Sequence, residues 1–216
     1  MIVIVNTKIA YLLGALHSDG CVYQFYDKRE ERIRYRLLFK GMSERSLPLL
    51  KECQLILDKE LNRKLNIRKD KKGYFNMETC INNLPWLITY NYDIPSEVRK
   101  NGALFGAYLA GVIDGDGHIQ IKNNKDRKIP QCVIKIASAE PLKELKILIE
   151  KHLNSSTNFE FVKNERGQGY KTYFYVSYKN IKFLEDLILP HIKLSYKNIK
   201  LQRFLGLYKN NEPIRI

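Results

Sequence analysis

The chain has 216 residues, of which 44% are hydrophobic and 28% charged, enough to bury a core without disulfide or metal staples. Its 37 lysines and arginines outweigh 23 acids, and the net charge of +14 favours a polyanionic partner, nucleic acid above all, over a neutral metabolite. No apolar run reaches the roughly 18 residues of a membrane span, the opening MIVIV is too short for a signal-peptide core, and the scattered cysteines and histidines form no zinc or disulfide pattern. A soluble intracellular protein, cytoplasmic or organellar, without membrane contact is expected.

In chain order, an apolar helix comes first, AYLLGALHSDG over residues 10–20. It returns as AYLAGVIDGDG over residues 107–117, with Ala10/Ala107, Tyr11/Tyr108, Leu12/Leu109, Gly14/Gly111, Asp19/Asp116 and Gly20/Gly117 identical at an offset of 97. NLPWL at 83–87 and NIKFL at 180–184 keep that offset, so the chain reads as a duplication. The expected division is an N-terminal half 1–95, a linker 96–106 and a C-terminal half 107–216. After the first helix, periodicity predicts strands at 21–27 and 33–40, a helix at 46–62 with Pro48 in its first turn, strands at 65–69 and 74–80, and a closing helix. The second half repeats the order, with strands at 118–124 and 131–137, a helix at 140–153 with Pro141 in its first turn, strands at 158–163 and 170–178, and a closing helix. Each half is αββαββα, an α+β unit with helices on one face of an antiparallel sheet.

Ala10, Gly14 and Ser18 recur every four residues on the first helix, as do Ala107, Gly111 and Gly115 on its twin. Interior glycine costs a helix about 1 kcal/mol relative to alanine, so a duplicated stripe of small residues predicts close approach of the two helices. Asp19 and Asp116 end these helices, each just before a glycine suited to a left-handed cap. There a carboxylate faces the negative end of the helix dipole, an unfavourable placement without a cation. Two matched acids so placed, brought near one another by the helix pair, point to a hard divalent ion that favours oxygen donors.

LLGALHSDG (Leu12 to Gly20) and LAGVIDGDG (Leu109 to Gly117) resemble the two signature motifs of the LAGLIDADG homing endonucleases in their single-chain, two-motif form. The second copy is close to the name itself; the first departs at Leu13, His17 and Ser18 and keeps the glycines and the penultimate acid. The resemblance implies two pseudosymmetric halves packed through the motif helices, forming a β saddle over double-stranded DNA. It implies that Asp19 and Asp116 bind Mg2+, with Mn2+ as a substitute, and that the carbonyls of Ser18 and Gly115 are further ligands. Such enzymes cut both strands of a long, barely symmetric site and leave 3′ overhangs.

Strand alternation supplies the DNA-facing candidates. On IRYRLLFK (33–40), Arg34, Arg36, Leu38 and Lys40 face away from Ile33, Tyr35, Leu37 and Phe39. After the second motif, His118, Gln120 and Lys122 alternate with Ile119 and Ile121, while Gln131, Val133, Lys135 and Ala137 oppose Cys132, Ile134 and Ile136. Arg127, Lys128, Lys163 and Arg166 at hairpin tips add phosphate contacts. Aromatic residues between Tyr170 and Tyr178 are read as core and hairpin packing. Family members commonly set a lysine or glutamine near each metal. Here the strand-end positions hold Gly41, Met42, Ala137 and Ser138, which leaves Lys40, Lys135 and Lys197 as catalytic candidates; Lys197 resembles a lysine often found after the closing loop.

The expected activity is a site-specific, magnesium-dependent DNA double-strand break by a monomer encoded in a mobile intron. The alternative is an intron-RNA maturase or a non-catalytic DNA-binding protein on the same scaffold. An intein setting is not expected, because the ends lack a starting cysteine or serine and a His-Asn finish. Retention of both acids favours catalysis.

Overall fold

The computed structural model describes residues 5–89, 93–122, 130–138, 143–164, 167–177 and 179–210. They divide into two compact units, Met1–Gly115 and Asp116–Ile216.

In the first unit, helix α1 (Thr7–Asp19) starts where the Asn6 side chain accepts the Ile9 amide at 2.9 Å. Strands β1 (Gly20–Asp27) and β2 (Arg32–Met42) follow, then α2 (Leu47–Leu61), β3 (Arg68–Lys69), β4 (Phe75–Cys80) and the short α3 (Pro85–Thr89). Pro48 sits in the first turn of α2, and Asn62 ends that helix at a left-handed φ of 50°. The sheet is antiparallel in the order β1-β2-β4-β3. Leu37, Phe39 and Met77 on its inner face are buried with Leu12, Leu16, Leu50, Cys53 and Leu57 from the helices. Inward parity does not bury Ile33, which is 57% exposed at the turn end of the β1–β2 ribbon, where its register partner Tyr26 is 59% exposed. A bulge between Phe39 and Met42 places Gly41 at a φ of 72°, a conformation that favours glycine. The first-half strand expected at 65–69 is only two residues long.

Residues 96–106 hold α4 (Ser96–Lys100) and the start of α5 (Gly102–Asp116), whose first amides, those of Ala103 and Leu104, donate to the Asn101 side chain at 2.9 and 3.2 Å. All of α5 except Asp116 clusters with the first unit.

The second unit contains β5 (Gly117–Lys122), β6 (Gln131–Ser138), α6 (Lys143–Leu153), β7 (Thr157–Asn164) and β8 (Gly167–Val176). A short helical turn, α7 (Ile181–Phe183), runs into π and 3-10 turns ending at His191, where Pro190 interrupts regular helix, and α8 (Ser195–Asn210) follows. Its antiparallel sheet has the order β5-β6-β8-β7, matching the first sheet strand for strand. Ile119, Cys132, Ile134, Ile136, Thr172 and Phe174 form its buried face with Leu145, Ile149, Leu201 and Phe204. Each half therefore shows the expected αββαββα order on one four-stranded antiparallel sheet. Pro141 lies outside the described residues.

Candidate nucleic-acid interface and metal site

Helices α1 and α5 pack through their small residues. A β-carbon added at Gly14 would stand 2.0 Å from the Tyr108 carbonyl oxygen, and one at Gly111 would stand 2.2 Å from that of Tyr11. No side chain larger than hydrogen fits at either glycine without moving backbone, which is the close approach the stripe predicts. Two further contacts obey the duplication. Tyr11 donates to buried Asp114 at 2.8 Å, and the Tyr108 hydroxyl meets Nδ1 of His17 at 2.9 Å. Tyr11 and Tyr108 are repeat equivalents, and so are His17 and Asp114, because each pair is separated by 97. Burial, followed by the Asp114 charge, drives the Tyr11 hydroxyl far above its ordinary pKa, so it stays a donor. His17, a departure from the motif in sequence, thus takes the acid's place in one of two matched Tyr contacts.

At the C-terminal end of this pair, a β-carbon at Gly115 would lie 2.0 Å from Ser18 Oγ and 3.1 Å from Asp19 Oδ2. The first motif's carboxylate therefore lies against the residue preceding Asp116, which closes α5. Asp19 and Asp116 are both half-buried. Ser18 Oγ donates to the Gly14 and Ala15 carbonyls at 3.1 Å. Gly20 is not a left-handed cap: its φ is −105° and ψ 173°, which is extended backbone. A β-carbon there would come within 2.7 Å of Leu16 Cδ1 and 3.0 Å of Leu16 Cα and Phe39 Cε1, a tight fit that favours glycine. Among the described residues, no group of three or more His, Cys, Asp or Glu side chains could hold a metal ion. The donors available at a motif end are a carboxylate and helix-terminal carbonyls, a hard-oxygen set that fits an ion keeping several waters. Cys53, buried beneath α1, is no ligand candidate; burial, with the carboxylates of Glu52, Asp114 and Asp19, raises its pKa strongly and keeps the thiol protonated.

The outer face of the first sheet carries Arg34, Arg36 and Lys40 as alternation predicts. Arg34 is paired with Asp27, at 2.9 Å, and with Glu30. Arg36 lies 4.1 Å over the Phe25 ring and donates through Nη1 to Glu78 Oε1 at 2.6 Å, while Tyr23 donates to the same oxygen at 2.8 Å. Arg36, Lys40, Glu78, Lys64, Arg68 and Asn76 line a concavity of about 720 Å3.

On the second sheet, His118 and Lys135 are register partners. Partial desolvation first, and then the charges of Lys200, Lys135 and Lys197, hold the exposed His118 below the ordinary imidazole pKa. Lys197 is 4% exposed in the first turn of α8, and Lys200 donates to the Ile119 carbonyl at 3.3 Å. Gln120 is half-buried and Lys122 exposed on the same face as His118. Val133 shares that face yet is 2% exposed, covered by its longer neighbours. Tyr173 and Tyr175 correct the expectation for the aromatic run. They pair in register with Lys135 and Val133, touch edge to face at 6.1 Å, and line an outward concavity of about 210 Å3 with Lys122, Glu160 and Lys171. Only Phe174 of that stretch's described aromatics is core. Alternation placed the lysines of this face and should have placed the tyrosines. Arg127, Lys128 and Arg166 lie outside the described residues, as does the side chain of Lys163, whose backbone belongs to β7.

Residues 105–189 match the family described as a LAGLIDADG-like domain. No curated protein sequence matches the chain. Among solved structures, mesophilic variants of the homing endonuclease I-DmoI superpose with a TM-score of 0.59 at 22% identity, covering 86% of this chain and 97% of that one. I-DmoI in complex with DNA and calcium gives 0.61 at 20% identity over 91% and 97%. The LAGLIDADG meganuclease I-AabMI bound to uncleaved DNA gives 0.57 at 12% identity over 95% and 91%. Other I-DmoI structures hold DNA with manganese or were solved with DNA in the presence of magnesium.

Proposed function

We propose, from the match of residues 105–189 to a LAGLIDADG-like domain and the likeness of the fold to LAGLIDADG meganucleases over most of the chain, that the protein is a site-specific endonuclease that hydrolyses both strands of double-stranded DNA with a divalent metal. The observation that carries the reading is the helix pair closed over Gly14 and Gly111, with Asp19 lying against Gly115 and Asp116 next in sequence. Asp19 and Asp116 would hold Mg2+, for which Mn2+ substitutes, with the carbonyls of Ser18 and Gly115 beside them. A bound magnesium ion supplies polarisation of the scissile phosphate and a lowered pKa for coordinated water.

The chain's own residues do the rest. In the second unit, Lys135, the register partner of His118, with Lys197 and Lys200 of α8, supplies positive potential where charge develops on the phosphate. Lys40, Lys64 and Arg68 are exposed cations of the first sheet's concavity. The two halves are unlike here, because the residue equivalent to Lys135 is Leu38 and that equivalent to His118 is Cys21, at the offset of 97. The sheet faces hold the DNA: lysines bind phosphates, and residues such as Gln120 reach base edges. The enzyme acts as a single chain, encoded, as the resemblance implies, in a mobile intron. The intron-RNA alternative gains nothing from the structural relatives, whose named complexes are with DNA.

The test is incubation of the purified protein with duplex DNA spanning an intron-insertion junction, with Mg2+ or with chelator. A double-strand break in Mg2+ alone supports the reading. Intact DNA with every divalent ion, for junction DNA and for duplexes the protein selects from a random pool, overturns it.

A further inference from the structure

The outer face of the first sheet carries a feature that phosphate binding does not explain. Arg36 rises from β2 and Tyr23 from β1, and both donate to a single carboxylate oxygen, Oε1 of Glu78 on β4. The arginine is also held flat at 4.1 Å over Phe25. Three side chains, Tyr23 and Phe25 from β1 and Glu78 from β4, thus hold one guanidinium on β2 whose surface stays open: the side chains of Arg36 and Glu78 are 40% and 41% exposed. Glu78 Oε2 accepts from no described residue, and only Nη1 of Arg36 hydrogen-bonds to Glu78. Hydrogen bonds from Tyr23 and then from Arg36 hold the Glu78 carboxyl below its ordinary pKa, so it is charged at neutral pH.

A fixed carboxylate is a poor neighbour for phosphate, and it cancels the charge an arginine would need to attract one. The same pair suits a base edge. A guanidinium presenting two nitrogens matches the adjacent N7 and O6 acceptors of guanine, and a carboxylate accepts from the N4 amine of the paired cytosine. Thymine would set its O4 acceptor in place of that amine, leaving the charged oxygen facing another acceptor without a donor.

Resting on the DNA reading proposed above, we infer that Arg36 and Glu78, braced by Tyr23 and Phe25, form a reader that specifies one G·C pair through the major groove. Glu78 also acts as a discriminator, since its charge penalises binding at sites that do not offer the cytosine amine.

Selection from a randomised duplex pool in Ca2+ tests this, comparing wild type with Glu78→Gln and Arg36→Met; circular dichroism confirms folding of each. The wild type is expected to enrich a site containing an invariant G·C pair. Both variants should lose preference at that one position by about tenfold or more while keeping preferences elsewhere. Glu78→Gln should also bind random duplex more tightly than wild type. Identical preferences in wild type and both variants overturn the reader. A wild type that enriches no duplex at all overturns instead the proposed DNA function on which the reader rests.

Discussion

Alanine at Gly111 puts the helix pair to a quantitative test. Its β-carbon would lie 2.2 Å from the Tyr11 carbonyl oxygen and 2.8 Å from the Ala15 nitrogen, against the 3.4 Å at which ordinary contact begins. The helices must part by roughly 3.4 − 2.2 = 1.2 Å, and the obstacle is backbone, which cannot swing aside as a side-chain tip does. Overpacking of a close-packed interior costs about 1–3 kcal/mol, and a rigid obstacle belongs at the upper end. Alanine contributes about 1 kcal/mol of helix propensity in the other direction. The net expectation is a loss of about 2 kcal/mol for Gly111→Ala, and a similar loss for Gly14→Ala. Gly206 in α8 is the internal control: a β-carbon there meets nothing within 4 Å. Gly206→Ala should therefore stabilise by about 0.5–1 kcal/mol. Urea unfolding of the three variants reads these differences as midpoint shifts at constant slope. If Gly111→Ala is stabilised as Gly206→Ala is, the close helix pair does not exist.

Three further outcomes are expected. Tyr11→Phe removes a donor from buried Asp114 and should lose about 1–3 kcal/mol, more than Tyr108→Phe, whose partner His17 is only half-buried; equal losses in urea unfolding would contradict the ranking. Glu78, Glu60 and Glu150 are held below the ordinary 4.5, chiefly by hydrogen bonds from Tyr23, Lys8 and Thr157, and Asp70 below 3.8 by the Tyr74 amide. Their folded pKa values are depressed, so the unfolded chain binds more protons, and the stability they provide is present above the ordinary value and lost as pH falls through the lowered ones. Melting temperature should accordingly fall as pH drops below about 4.5, and a flat or rising profile there would oppose this assignment. Binding to duplex DNA should weaken more than tenfold between about 50 and 200 mM salt through release of counterions from the phosphates; a nearly flat titration would remove the lysine faces from the interface.

Local, repeated features were legible in the sequence. The offset of 97 gave the duplication, alternation gave the faces of β2, β5 and β6, and small residues every fourth position gave the helix contact, because each follows from the period of one element. What stayed hidden depended on partners far apart in the chain. Tyr23, Arg36 and Glu78 meet across three strands, and Glu78 lies 42 residues from Arg36. Lys197 and Lys200 reach His118 from the last helix, more than one crossover away. The Tyr11–Asp114 and Tyr108–His17 contacts were encoded in the repeat itself, yet a histidine standing where its twin has an acid reads as a departure until both are seen against a tyrosine. An Asp-Gly pair at a helix end suggests a left-handed turn, whereas Gly20 is extended backbone pressed close to Leu16 and Phe39.

The central claim is that the two motif aspartates support hydrolysis, and strand-resolved cleavage of a selected duplex by Asp19→Asn and Asp116→Asn tests it most directly. Removing a carboxylate from a helix C-terminus relieves repulsion of about 0.3–1 kcal/mol, so both variants should be at least as stable as the parent without metal and should still bind the duplex in Ca2+. Each variant, folded and bound, is expected to fail to make the double-strand break in Mg2+. Double-strand cleavage at the parental rate in both would contradict it.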